Sequence, residues 1–113
     1  MKYEYKSILA PVIESLIDMK HNLGFKYISE SKLLRRVDRL ALNHRLDDII
    51  LMENFVNEFI KKHANEKDIN ITSRVTVIRE LARFMIAQGY KAYVVPPLPL
   101  PRGNGGTTYA LYP

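Results

Sequence analysis

Two sets of cations in this 113-residue chain recur at helical spacing. Lys32, Arg35, Arg36 and Arg39 stand at i, i+3, i+4 and i+7, and Arg74, Arg79 and Arg83 form a second set with the small hydroxyl residues Ser73 and Thr76 close by. Six of these seven cations are Arg, whose planar fork grips phosphate or guanine in a bidentate way that a lysine point charge does not. The chemistry this indicates is binding of a polyanion, duplex DNA above all. A charged stripe opposite an apolar one is also what any solvated surface helix shows, and periodicity alone does not separate the two.

Bond-making chemistry is harder to find. The chain has no cysteine, which removes disulfides, thiolate nucleophiles and cysteine-based zinc or iron sites. The three histidines, His21, His44 and His63, share no i, i+4 spacing and no carboxylate box, so surface or half-buried roles outweigh metal ligation. Tyr109 and Tyr112 stand near the C-terminal end with no catalytic cluster around them. No cofactor is indicated.

Composition sets the class. Hydrophobic residues make up 47% of the chain and charged residues 26%, which places it among ordinary globular proteins. At this length folding hides about two thirds of the surface that the unfolded chain exposes. No apolar run approaches the roughly 18 residues needed to span a bilayer, and Met1 to Tyr5 lacks a signal-peptide layout; a cytosolic address is expected. Seventeen Lys and Arg against twelve Asp and Glu give a net charge of +5, a statement about partners rather than fold.

Four helices must position the cations. Ile8, Leu9, Val12, Ile13, Leu16, Ile17 and Lys20 form a stripe at three- and four-residue spacing, with Pro11 suited to the first helical position and Gly24 ending the helix. Ser29 is the expected cap of a second helix running to about Asn43, whose apolar face is Leu33, Leu34, Val37, Leu40 and Ala41. A third helix, capped by Asp47 or Asp48, buries Met52, Phe55, Val56, Phe59 and Ile60. A fourth, capped by Asn70 or Thr72, continues to Gln88 before Gly89, with Val75, Ile78, Leu81, Ala82, Met85 and Ile86 inward and Arg74, Thr76, Arg79 and Arg83 outward. The second and fourth helices carry the cationic excess, whereas the third is neutral. The expected fold class is therefore an all-α bundle.

Past Tyr93 the composition shifts to Val94-Val95-Pro96-Pro97-Leu98-Pro99-Leu100-Pro101 and then a glycine-rich stretch. Proline cannot continue a helix, so residues 94–113 read as an extended linker, stiff and then loose, leaving a domain of residues 1–93. A linker in that position suggests a fragment of a longer protein.

The run Arg74-Val75-Thr76-Val77-Ile78-Arg79-Glu80-Leu81-Ala82-Arg83-Phe84-Met85, followed by Gly89-Tyr90-Lys91-Ala92-Tyr93 and Pro96-Pro97, resembles a pattern R-x-S-x-I-R-x-F-A-R-Y-L…G-x-x-A-Y-x-P-P. That pattern belongs to the N-terminal core-binding domain of tyrosine recombinases, the phage-integrase-like site-specific recombinases. Upstream, Lys20 to Tyr27 resembles the family's K-R-x-x-G-Y-K-Y, and Leu33 to Asp38 its L-R-R-F-D. The resemblance covers roughly residues 5 to 101. Departures are the Ile50-Leu51-Met52-Glu53 segment, where the family has a threonine cap, and Leu81 and Phe84 in place of Phe and Tyr.

This resemblance implies a four-helix SAM-like orthogonal bundle that clamps one face of a duplex recombination site, with its second and fourth helices at the major groove. Carried over by position, the DNA-facing residues are Lys32, Arg35, Arg36, Arg39, Ser73, Arg74, Thr76, Arg79 and Arg83. Among them Arg36 and Arg83 carry least weight, since they stand close to Asp38 and Glu80 and could pair with them. The family's chemistry resides in a C-terminal catalytic domain with a His-x-x-Arg box and a tyrosine nucleophile, which this chain lacks. The chain alone is expected to be inert, its parent cleaving and rejoining DNA through a phosphotyrosine without metal or cofactor, with other recombinase protomers as partners on DNA. A cytoplasmic, nucleoid-associated address in a bacterium or phage follows. Substituting Arg74 or Arg35 is expected to weaken DNA binding and spare stability. The competing reading is a helical protein-interaction module, with Pro96 and Pro99 satisfying P-x-x-P. Membrane binding is disfavoured because the apolar faces are committed to one another.

Overall fold

A computed structural model describes residues 3–61 and 63–96, without the side chains of residues 68 and 69. Four helices follow in order: α1 (Ala10–Asn22), α2 (Ile28–Asn43), α3 (Glu53–Ile60) and α4 (Asp68–Ala87). No strand forms among the described residues; a single parallel bridge joins Leu51 to Ala92, through Leu51 N–H to the Lys91 carbonyl at 3.2 Å and Tyr93 N–H to the Leu51 carbonyl at 2.9 Å. The chain is all-α. No described helix is long and apolar enough to cross a membrane.

The longest helix, α4, is the axis of the packing, with α1, α2 and α3 all laid against it. Leu9, Val12, Ile13 and Leu16 meet Leu34, Val37 and Ala41 of α2, Phe55, Val56 and Phe59 of α3, and Val75, Val77, Ile78, Leu81, Ala82 and Met85 of α4 in one core. Each of the Val, Leu, Ile, Phe and Met side chains, once buried, contributes about 1.5–3 kcal/mol relative to exposure. Two positions expected inside are outside, Met52 at 54% and Ile86 at 49% exposure. Met52 stands in extended conformation before the first turn of α3, so helical phase does not govern it. Ile86 sits one step round the helix from Met85, and Val77 takes the inward place instead.

Both long turns close on the same device. Gly24 and Gly89 each adopt φ +95, in the left-handed region where a Cβ is penalised. Gly24 N–H donates to the His21 carbonyl and Phe25 N–H to that of Lys20, both at 3.0 Å. Gly89 N–H donates to Ile86 at 3.0 Å and Tyr90 N–H to Met85 at 2.9 Å. These paired bonds satisfy the last carbonyls of α1 and α4. Pro11 lies in the first turn of α1, as its missing N–H permits.

The expected side-chain caps are absent. Tyr27, not Ser29, precedes α2; it takes φ 54 and makes no side-chain cap bond, while the Ser31 hydroxyl donates to its carbonyl at 2.6 Å. Asp48 accepts from the neighbouring Ile49 N–H at 2.8 Å and does not cap α3, whose N-cap is Met52. Helix α4 begins earlier than Asn70 or Thr72, with Lys67 as its N-cap. The first two residues of the expected linker also belong to the body: Val95 is buried in the core and Val94 packs against it. Residues 97–113, with the rest of that linker and its expected looseness, lie outside the described residues.

Candidate nucleic-acid interface

At about 100° per residue, Lys32, Arg36, Arg39 and Asn43 fall within roughly 60° of one another on α2. All four are exposed, and the three cations make no ion pair with an acid among the described residues. The acids of the neighbourhood are engaged elsewhere. Asp38, fully buried at 0% exposure, accepts from Ser7 N–H at 2.8 Å, Lys6 N–H at 3.0 Å and the Tyr3 hydroxyl at 2.8 Å. Burial, the largest single influence on Asp38, would raise its pKa, but the hydrogen bonds from Ser7, Lys6 and Tyr3 together outweigh it and hold the carboxyl below its ordinary value. Glu80 takes Lys20 Nζ at 2.8 Å on one oxygen and the Tyr27 hydroxyl at 2.6 Å on the other. Burial first, and then this bond to Glu80, push the Tyr27 phenol up. Arg36 and Arg83 are therefore not paired with Asp38 and Glu80, the alternative set for them from sequence; both are exposed.

The N-terminal segment shapes the edge of the α2 strip. The Tyr3 ring carries Arg35 at 5.4 Å and Arg39 at 5.8 Å from its centroid, and packs edge-on against Tyr5 at 4.8 Å. Such cation–π contacts are worth about 0.5–1 kcal/mol at exposed sites. Arg35 is half-buried with an unpartnered Nε, held against Tyr3 rather than projecting with Arg36.

On α4 the expected strip divides. Ser73, Thr76 and Arg83 are exposed and Arg79 is half-buried; the Thr76 hydroxyl donates to the Thr72 carbonyl at 3.0 Å. Arg74 does not join them. It is 1% exposed, its Nη1 and Nη2 donate to the two oxygens of Glu66, with Nη2–Oε1 at 2.8 Å, and Nη2 also donates to the Lys61 carbonyl at 3.0 Å. The pairing raises the guanidinium pKa. The expectation that Arg74 faces DNA is corrected by this geometry, and the reason is helical phase. Arg74 lies roughly 180° round from Arg83 and in register with Ile78, Leu81 and Met85 at i+4, i+7 and i+11, so it belongs to the inward face.

A cleft of about 690 Å³ opens between α2 and α3. Arg36, Arg39 and Asn43 line its α2 side, and Asn57, Lys61 and His63 its α3 side. The structure thus joins part of the α2 strip to the exit of a helix that is neutral in sequence, a juxtaposition that charge summed by segment does not reveal. Nothing in the local pattern of Lys61 and His63 marks them; Asp38, by contrast, was legible as buried, being i+4 from Leu34 and i−3 from Ala41.

Comparison with known proteins returned no matching family model, no matching curated protein and no matching solved structure.

Proposed function

We propose that this domain binds duplex DNA, as the N-terminal core-binding domain of a site-specific tyrosine recombinase with a SAM-like arrangement of its helices. The observation that carries the reading is the exposed α2 ridge of Lys32, Arg36 and Arg39, three cations on one sector that make no ion pair with an acid among the described residues. An unpaired ridge of this kind gains free energy by releasing counterions from a phosphate backbone. Arg79 and Arg83, with Ser73 and Thr76, supply the α4 contribution, and Arg35 acts at the edge; Arg74 serves the fold. In this reading the domain performs no chemistry. A separate catalytic domain cleaves and rejoins the strands, other protomers occupy the same site, and the address is cytoplasmic and nucleoid-associated.

Fluorescence anisotropy on a labelled duplex across a salt series tests the binding. Affinity is expected to fall linearly in log–log form, and a Lys32→Ala, Arg36→Ala double variant is expected to bind more weakly with a salt slope smaller by about one per lost phosphate contact. Affinity independent of salt overturns the proposal. The recombinase assignment is tested by the coding sequence after residue 113, where a His-x-x-Arg box and a later tyrosine are expected and a stop codon would count against it.

A further inference from the structure

The cleft between α2 and α3 is built from opposite walls. Arg36, Arg39 and Asn43 line it from α2, and Asn57, Lys61 and His63 from α3 and its exit. Glu58 also lines the cleft, one oxygen of its carboxylate bonded to His44 Nε2 at 2.9 Å, and sets one negative charge against the positive charges of Arg36, Arg39 and Lys61. Positive charge is in excess, and the donors match the non-bridging oxygens of a phosphate ester.

The backbone is anchored at Lys61 and at His63. The Lys61 carbonyl is held by Arg74, and His63 N–H donates to Glu66 Oε1 at 2.9 Å, while Glu66 is itself gripped by the same guanidinium. Residues on both sides of position 62 are thereby tied to one buried group. Holding the backbone that carries the Lys61 and His63 side chains lowers the entropy lost when they meet a ligand.

We infer that this cleft is a phosphodiester site, taking a stretch of sugar–phosphate backbone of the bound duplex, with Lys61 and His63 as contacts additional to the α2 and α4 residues. The inference rests on the DNA-binding reading and deepens it. A cleft of about 690 Å³ has the volume of a small-ligand pocket, a scale that suits a segment of one backbone strand. On this inference the occupant is the sugar–phosphate edge of one strand, and the contact is independent of base sequence.

The test uses the full 113-residue chain and two probes. In the anisotropy salt series, Lys61→Gln is expected to lower the slope by about 0.9, one phosphate contact, with the melting temperature unchanged; His63→Gln is expected to weaken binding in the same direction. In amide NMR titrations of the wild-type protein, the duplex is expected to shift Asn43, Asn57, Lys61 and His63, and millimolar inorganic phosphate to shift the same amides and to be displaced by duplex. If wild type binds duplex with a steep slope that Lys61→Gln leaves intact, and the cleft amides stay still, the cleft is not the site while the DNA reading survives. If inorganic phosphate shifts those amides and the duplex does not, the cleft takes a free phosphorylated ligand and the inference falls. If wild type does not bind duplex at all, both readings fall together.

Discussion

Arg74 of α4 and Glu66 of the α3–α4 connection form a two-pronged ion pair, guanidinium fork to carboxylate, with Arg74 withdrawn from solvent and the Lys61 carbonyl as its third acceptor. Arg74 sits on the inward face of α4, with the core-packed Ile71 about one turn before it and the buried Ile78 one turn after. Long basic side chains lie on apolar surface in this way when their heads find a partner. The arrangement makes Arg74 a structural residue in a set of which Lys32, Arg36, Arg39 and Arg83 are exposed and Arg35 and Arg79 half-buried.

Arg74→Ala is expected to destabilise the domain by on the order of 2 kcal/mol, since it leaves a cavity and strands the partners of a buried pair. Arg83→Ala, from the exposed strip, is expected to stay within about 0.5 kcal/mol of wild type. Urea denaturation followed by circular dichroism decides the matter; equal effects of the two substitutions would contradict the inward assignment. This reverses the sequence expectation that Arg74 is dispensable for stability.

Acid sensitivity should report the same pair. Hydrogen bonds from Arg74, then from His63 N–H, hold Glu66 at about 2 against an ordinary 4.5. A carboxylate depressed in the folded state contributes stability that is complete above the unfolded value and is lost as pH falls through the folded one. The domain is therefore expected to weaken between about pH 4.5 and 2, and Glu66→Gln to flatten part of that decline when melting temperature is plotted against pH. Asp38, depressed in the same direction, leaves a residual acid slope in the variant.

The clasp of the N-terminal segment on α2 gives a coupled pair. Tyr3→Phe removes one hydrogen bond to Asp38 and is expected to cost about 0.5–1.5 kcal/mol, while Asp38→Ala strands two backbone N–H groups and costs more. In the Asp38→Ala background the further change Tyr3→Phe should have little effect, and a double-mutant cycle measures this. Full additivity of the two losses would mean that the hydroxyl and the carboxylate act independently.

Gly89→Ala is expected to cost about 1–2 kcal/mol, from the left-handed backbone alone. A Cβ built there meets nothing within 4 Å, so no steric clash adds to it. The same substitution at Gly24 should behave alike, and thermal denaturation of each variant checks it. A neutral or stabilising result at either position would show that the turn relaxes to a conformation open to any residue.

Amphipathic spacing by itself determined the four helices and most of the core, because burial of an apolar stripe at a period of 3.6 residues is a local property of sequence, and the backbone preferences of Gly24, Gly89 and Pro11 marked helix ends. It also marked the exposed positions of Lys32, Arg36, Arg39 and Arg83. Had helical phase been followed strictly, Arg74 and Asp38 would have been placed inward as well, since each shares a stripe with buried aliphatic residues. Tertiary structure alone decided what these two buried charges pair with, for Glu66 and the Tyr3 clasp come from connecting segments with no period to read. It alone set Lys61 and His63 across from Arg36 and Arg39, because a cleft between helices depends on how each packs against a third, and α4 is the helix on which both α2 and α3 lie.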